Sequence, residues 1–213
     1  IIEPSRNEYK EKKMKPPEKK HVIDSSFKTI TQKDGLFWAF YYIFNGEFAY
    51  ETIHNEFSTE KLIKIDLVEK IRKNKQLLKT FKIKSNVIEN LLLNCITIDL
   101  QTFFSICLIN NISFFIYTKN MYYSHIVGSD IHIIDYKKNN VKIYNLTNGE
   151  NLIENIKKTH IEFASIQKKI KSISNYKMPE LLSMAEKLNI NIFKENGKKK
   201  VKKDIYSEIS QII

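Results

Sequence analysis

The chain has 213 residues, 42% of them hydrophobic and 12% aromatic, and a formal net charge of +11. That apolar content excludes a wholly disordered polypeptide, and the length suits one ordinary domain with a small appendage. The basic excess fits an anionic partner such as nucleic acid, but much of it sits in two runs, "KEKKMKPPEKK" and "KENGKKKVKK", a pattern whose commonest fate is a solvated tail.

Residues 1–20 carry dense charge, Pro4 and the Pro16-Pro17 pair, and read as an extended arm. From His21, "HVIDSSFKTI" reads as a short strand and turn. Asp34-Gly35 then opens a helix in which every residue from Leu36 to Phe44 is apolar or aromatic, and Asn45-Gly46 reads as its stop. "STEKLIKIDLVEKIRKNKQLLKTF" predicts a second helix, with Ser58 to Lys61 close to a capping box and Leu62, Ile65, Val68 and Ile71 on one face. "SNVIENLLLNC" predicts a short helix capped by Ser85 or Asn86, and "DLQTFFSICLINN" another, capped by Asp99 and closed by Asn110-Asn111.

After Asn111 the pattern changes to strands. "ISFFIYT", "MYYSHIV", "IHIIDYK" and "VKIYNL" are separated by turn residues at Lys119-Asn120, Gly128 to Asp130 and Asn139-Asn140, which predicts an antiparallel meander of about four strands. Helices first and strands second make the fold class α+β. From about Lys171 two short amphipathic helices flank a basic loop. The expected division is an arm at 1–20, a main domain at 21–165 and a helical hairpin at 172–213.

Cys95 and Cys107 lie in apolar stretches and are expected to be free, buried thiols in a reducing compartment. No apolar run approaches the ~20 residues that span a bilayer, and "IIEPSRNEYK" turns polar at once, unlike a secretory signal. The expectation is an intracellular protein with no membrane partner. Scattered histidines and the lack of a ligand-spaced Cys pair or a phosphate-binding Gly loop give no reason to expect a metal or cofactor.

The order of helix and sheet has a chemical meaning. Several cysteine hydrolase families place a nucleophile at the start of a buried helix, where the dipole and free N–H groups favour a thiolate and an oxyanion. A histidine then opens a strand, and an Asn or Asp on the next strand orients its ring. Here His132 opens "HIIDYKKNNVKIYNLTNGE" and Asn145 follows on the adjacent strand, with His125 as the rival base. Each histidine could equally be a half-buried sheet residue.

"KDGLFWAFYYIFNGEFAYE" resembles papain-like cysteine peptidase homologues of nucleocytoplasmic large DNA viruses, which carry a Leu-Phe-Trp-Cys-Phe-Tyr core followed by Asn-Gly and Tyr-Glu. The match runs over Leu36, Phe37, Trp38, Phe40, Tyr41, Asn45, Gly46, Tyr50 and Glu51, and similar texture continues through most of the chain from His21. The resemblance implies a papain-like fold, a central helix with further helices packed on the sheet. It implies hydrolysis of a peptide or isopeptide bond, deubiquitination included, a protein or ubiquitin-like substrate, and a home in the host cytoplasm or virion. It places the nucleophile at position 39, the base at His132, the orienting amide at Asn145 and an oxyanion donor at Gln32, with Asp34 the simple N-cap. The chain departs from that pattern where it matters most. Ala39 stands where the thiol would be, so the sequence is that of an inactive protein, either a natural pseudoenzyme or a deliberate Cys-to-Ala substitution.

"YKMPELLSMAEKLNINIFKENGKKKVKKDIYSEISQII" resembles the SAP and Rho N-terminal type of helical hairpin. In that arrangement Leu181, Leu182, Ala185, Leu188 and Ile190 face Ile205, Ile209 and Ile212, and Lys198, Lys199, Lys200, Lys202 and Lys203 sit where such modules meet phosphates. A non-catalytic virion or replication-associated protein that binds nucleic acid or a protein partner is the alternative to the peptidase.

Overall fold

Asn111, with φ of +54°, turns the chain out of its helical half and into its strands. The computed structural model describes residues 27–137, 140–144 and 149–213; the expected arm at 1–20 and the strand start at His21 lie outside them. A first strand, β1 (Phe27–Ile30), precedes helices α1 (Gly35–Glu51), α2 (Glu56–Lys73), α3 (Lys75–Thr80), α4 (Ser85–Asn94) and α5 (Leu100–Ile109). Strands β2 (Ser113–Tyr117), β3 (Met121–His125), β4 (Ile131–Lys137) and β5 (Asn140–Tyr144) follow, then α6 (Gly149–Thr159), β6 (Ile161–Glu162), α7 (Met178–Lys187) and α8 (Lys202–Ile212).

The architecture is α+β, but the sheet is not a four-stranded antiparallel meander. It has six strands in the order β1-β5-β4-β2-β3-β6. β2 runs parallel to β4, and β3 parallel to β6, while the other pairs are antiparallel. The reason lies in β2, whose first four residues are buried. A strand apolar on both faces needs a neighbour on each edge, and turn residues say nothing about which strand fills the second edge. The β3–β4 connection is held back towards the start of β2, where Ser113 Oγ accepts from the amides of Val127 and Gly128, each at 3.0 Å.

Two layers of side chains sandwich the sheet. Ile134, Phe114, Ile116, Val141 and Ile143 join α1 to α5 in the main core. Phe115, Tyr122 and Ile133 face the other way, onto Ile156 of α6. That helix escaped the strand reading of its region, although Leu152, Ile153 and Ile156 recur at helical spacing.

Local signals decide the helix ends, with three corrections. α1 does not stop at Asn45-Gly46 but kinks there, Gly46 taking φ 86° and ψ 168° before the helix resumes to Glu51. α2 is capped by Asn55, whose side chain accepts from Ser58 N at 3.0 Å, so Ser58 is already helical. Its buried stripe is Lys64, Leu67, Val68 and Ile71, while Leu62 and Ile65 face outward. α4 begins at Ser85 with Lys84 as a cap that makes no side-chain bond. α5 follows expectation: Asp99 accepts from Thr102 N at 2.7 Å and Asn110 closes it.

Candidate functional site

Position 39 is the first test of the resemblance. Ala39 is 0% exposed and belongs to the main core. It is also too far along α1 to use the helix start. The first internal bond runs from Trp38 N to Asp34 O at 3.0 Å, so the amides free to hold an oxyanion lie before Ala39. One turn earlier on the same face is Gly35, where an added Cβ would come within 2.8 Å of Val141 Cγ2 on β5. Gly35 and Ala39 together form a small-residue stripe on which the helix approaches the sheet. No cleft opens above Ala39.

His132 pairs in register with Phe114, and Phe114 in turn with His125, so both histidines face the helical layer. Burial lowers the His132 pKa against an opposing pull from Asp130, and burial lowers that of His125. The His125 ring packs edge-on against Phe81 and Phe104 and tilted against Phe114, with its Nε2 buried and unpartnered. Asn145 lies outside the described residues. Among the described residues no hydrogen bond links His132 or His125 to Gln32, and position 39 offers none.

Gln32 is committed elsewhere. Its amide N–H donates to Glu56 Oε1 at 3.0 Å, and its carbonyl accepts from the Tyr50 hydroxyl. Asp34 caps α1 as expected, accepting from Phe37 N at 3.3 Å, and it does more. It also accepts from Ile98 N at 3.1 Å and from Lys64 Nζ at 2.8 Å. Lys64 donates again to Glu60 at 2.7 Å, and Glu60 accepts from Trp38 Nε1 at 3.0 Å. Trp38 therefore turns towards α2, not towards the sheet. The cap, the indole and a buried ion pair form one network that ties α1 to α2 and to the segment before α5. Lysine in a helical stretch normally reads as exposed, which is why the sequence hid Lys64.

The C-terminal hairpin is built much as its pattern implied. Leu181 and Ala185 of α7 and Ile205 and Ile209 of α8 are fully buried against each other and against Met121 and Ile161 of the sheet edge. Leu182, Leu188 and Ile190 are only partly buried, and Ile212 is half exposed. Lys187 Nζ donates to the carbonyls of Lys157 and His160, and Asn120 Nδ2 to that of Ile212, fastening the hairpin to the sheet. Gly197, at φ 76°, turns the loop between the helices, and Lys194 N bonds Lys198 O at 2.8 Å.

Within that loop the lysines are not equivalent. Lys200 pairs with Glu208 at 2.7 Å, and Lys194 with Asp204 at 2.7 Å. Lys198, Lys199, Lys202 and Lys203 form no salt bridge among the described residues. Lys202 and Lys203 open α8, whose N-cap, Val201, has no side-chain cap bond. Amides and ammonium groups thus converge where the helix is already electropositive, an arrangement that favours a phosphate or other anion.

The two cysteines differ: Cys107 is buried, burial pushing its thiol pKa well up, whereas Cys95 is exposed, contrary to expectation. Cys95 directly follows α4, where the helix end leaves it uncovered. Among the described residues no group of three or more His, Cys, Asp or Glu could hold a metal ion, and no helix is long and apolar enough to cross a membrane. Comparison with protein-family models, with curated proteins and with solved structures finds no match to the chain.

Proposed function

We propose that the chain is a non-catalytic nucleic-acid-binding protein that grips the phosphate backbone with the loop between α7 and α8. The observation that carries this reading is the uncapped start of α8, with Lys202 and Lys203 in its first turn and Lys198 and Lys199 in the adjoining loop. Cations at a helix N-terminus oppose the dipole, at a cost of about 0.3–1 kcal/mol each, and an anion bound there reverses that cost. Contacts of this kind bring affinity without base readout, so the binding is expected to be strongly salt-dependent and weakly sequence-dependent.

The test is fluorescence anisotropy with a labelled DNA duplex across a salt series. Replacing Lys198, Lys199, Lys202 and Lys203 by Gln should flatten the log–log salt slope, by about 0.9 for each lost phosphate contact. A slope that the fourfold variant leaves unchanged overturns the reading.

A second reading, a papain-like cysteine hydrolase inactive as written, is favoured by one observation: His132 faces the same side of the sheet as the core around α1. The burial of Ala39 weighs against it. Ala39→Cys separates the two. A sealed thiol with a burial-raised pKa, like Cys107, would react with a thiol-directed ubiquitin or peptide probe only after unfolding. Labelling of the native variant that His132→Ala abolishes would restore the peptidase reading.

A further inference from the structure

The groove between α2 and the end of α4 was not part of any sequence expectation. It encloses about 550 Å³, with Trp38 and Leu92 lining it. Phe57, Ile65, Leu93 and Ile96 also line it and are 76%, 43%, 50% and 66% exposed. Single exposed apolar side chains need no explanation, but four that converge on one concavity leave an unsatisfied apolar surface.

The charges around the groove are unequally engaged. Asp34 and Glu60 are held by Lys64, Glu60 also by the Trp38 indole, and Glu56 by Gln32. Lys33 and Lys61 line the same groove, are exposed, and form no salt bridge among the described residues. The acids are thus spent on the protein itself, and the charge left facing an incoming molecule is positive.

We infer that this groove docks an acidic, apolar segment of a partner protein, its large side chains in the concavity and its carboxylates towards Lys33 and Lys61. A helix with apolar residues at i, i+3, i+4 and i+7 suits a groove between two helices. Nucleic acid would meet the two lysines but leave the apolar surface unfilled. A second copy of the chain would bring a further positive charge.

Two reporters are built in. Trp38, the chain's only tryptophan, lines the groove. Cys95 lines it as an exposed thiol, while Cys107 is buried and silent. The experiment follows Cys95 modification by a disulfide reagent on the full chain. The probe is a synthetic helical peptide with Leu and Phe at i, i+3, i+4 and i+7 and Glu elsewhere. Companion peptides carry Ser or Lys in place of Glu.

The Glu peptide should slow Cys95 modification and shift Trp38 emission. Lys33→Glu with Lys61→Glu should weaken its binding by about tenfold, the worth of two exposed charge pairs. Leu93→Ser with Ile96→Ser should weaken all three peptides. These side chains are exposed, and unchanged circular dichroism would show that folding is untouched. Equal binding of the Glu, Ser and Lys peptides overturns the proposal. So does Cys95 protection by a DNA duplex but by no peptide, or protection that grows with protein concentration alone, which would name a second copy as occupant.

Discussion

Lys64 Nζ lies 2.8 Å from Asp34 Oδ2, with the two side chains only 7% and 1% exposed. Burial alone would lower the lysine pKa, but the hydrogen bonds from its ammonium to Asp34 and Glu60 outweigh burial and raise it. The ammonium also sits 5.1 Å from the centroid of the Phe37 ring. The pair is therefore charged, and each member depends on the other.

Asp34→Ala should be among the most destabilising single changes, by about 3–5 kcal/mol, because it strands a buried ammonium. It also removes the α1 cap. Adding Lys64→Met to it should recover part of the loss, since a buried apolar side chain needs no counter-charge. Urea unfolding of the two single variants and the double variant measures this. A double variant as unstable as the sum of the singles would deny the coupling.

Two glycines of α1 should respond to alanine for different reasons. At Gly35 the added Cβ would meet Val141 Cγ2 at 2.8 Å, and Val141 is itself buried on β5. Gly35→Ala should cost about 1–3 kcal/mol by overpacking, and Val141→Ala should relieve part of it. At Gly46 nothing lies within 4 Å, but φ is +86°. Gly46→Ala should cost about 1–3 kcal/mol from backbone strain alone, with no second-site partner that rescues it. Thermal unfolding of these variants distinguishes the two causes.

The histidines set an acid limit. Burial lowers the pKa of His125, of His132 and of His160. Between those lowered values and the unfolded value near 6.5, the unfolded chain binds more protons, so stability falls as pH drops through that window. Above about pH 7 the same three groups are neutral in both states and contribute no slope. Unfolding midpoints from pH 7.5 to 5 should therefore decrease. His125→Phe should flatten the decrease, because it removes one titrating group and an unpartnered Nε2 from an aromatic setting. An unchanged slope in that variant would assign the acid sensitivity elsewhere.

What the sequence made legible was local. Asp34 and Asp99 are caps because a carboxylate before an apolar run satisfies amides within one turn. The α7–α8 hairpin was readable because Leu181, Ala185, Ile205 and Ile209 repeat at helical spacing and face each other. What stayed hidden depended on remote partners. The side of α2 that faces inward is fixed by Asp34 and the core, so Lys64 is inside and Leu62 and Ile65 are outside. The α2–α4 groove exists only because of that rotation. Strand order was hidden for the same reason: β4 lies beside β2 because β2 is buried on both faces, which no turn residue encodes. At position 39 local similarity and packing diverge, since the Trp-Ala-Phe core can be quoted from the sequence but its burial cannot.

The place of β1 bears on how the chain is made. Phe27 pairs with Tyr144, and Ile30 with Val141, so the first described strand has its partner near the far end of the sheet. On a ribosome adding about 5–20 residues per second, β1 waits on the order of ten seconds before β5 emerges. During that wait α1, one of the most apolar helices of the chain, has no β5 surface on which to close. The helices α2 to α5 are synthesised in the interval and give α1 its first cover. Nascent chains halted just before Val141 should therefore hold a helical but open intermediate, sensitive to protease around β1, and the last strand to arrive is the one that seals the fold.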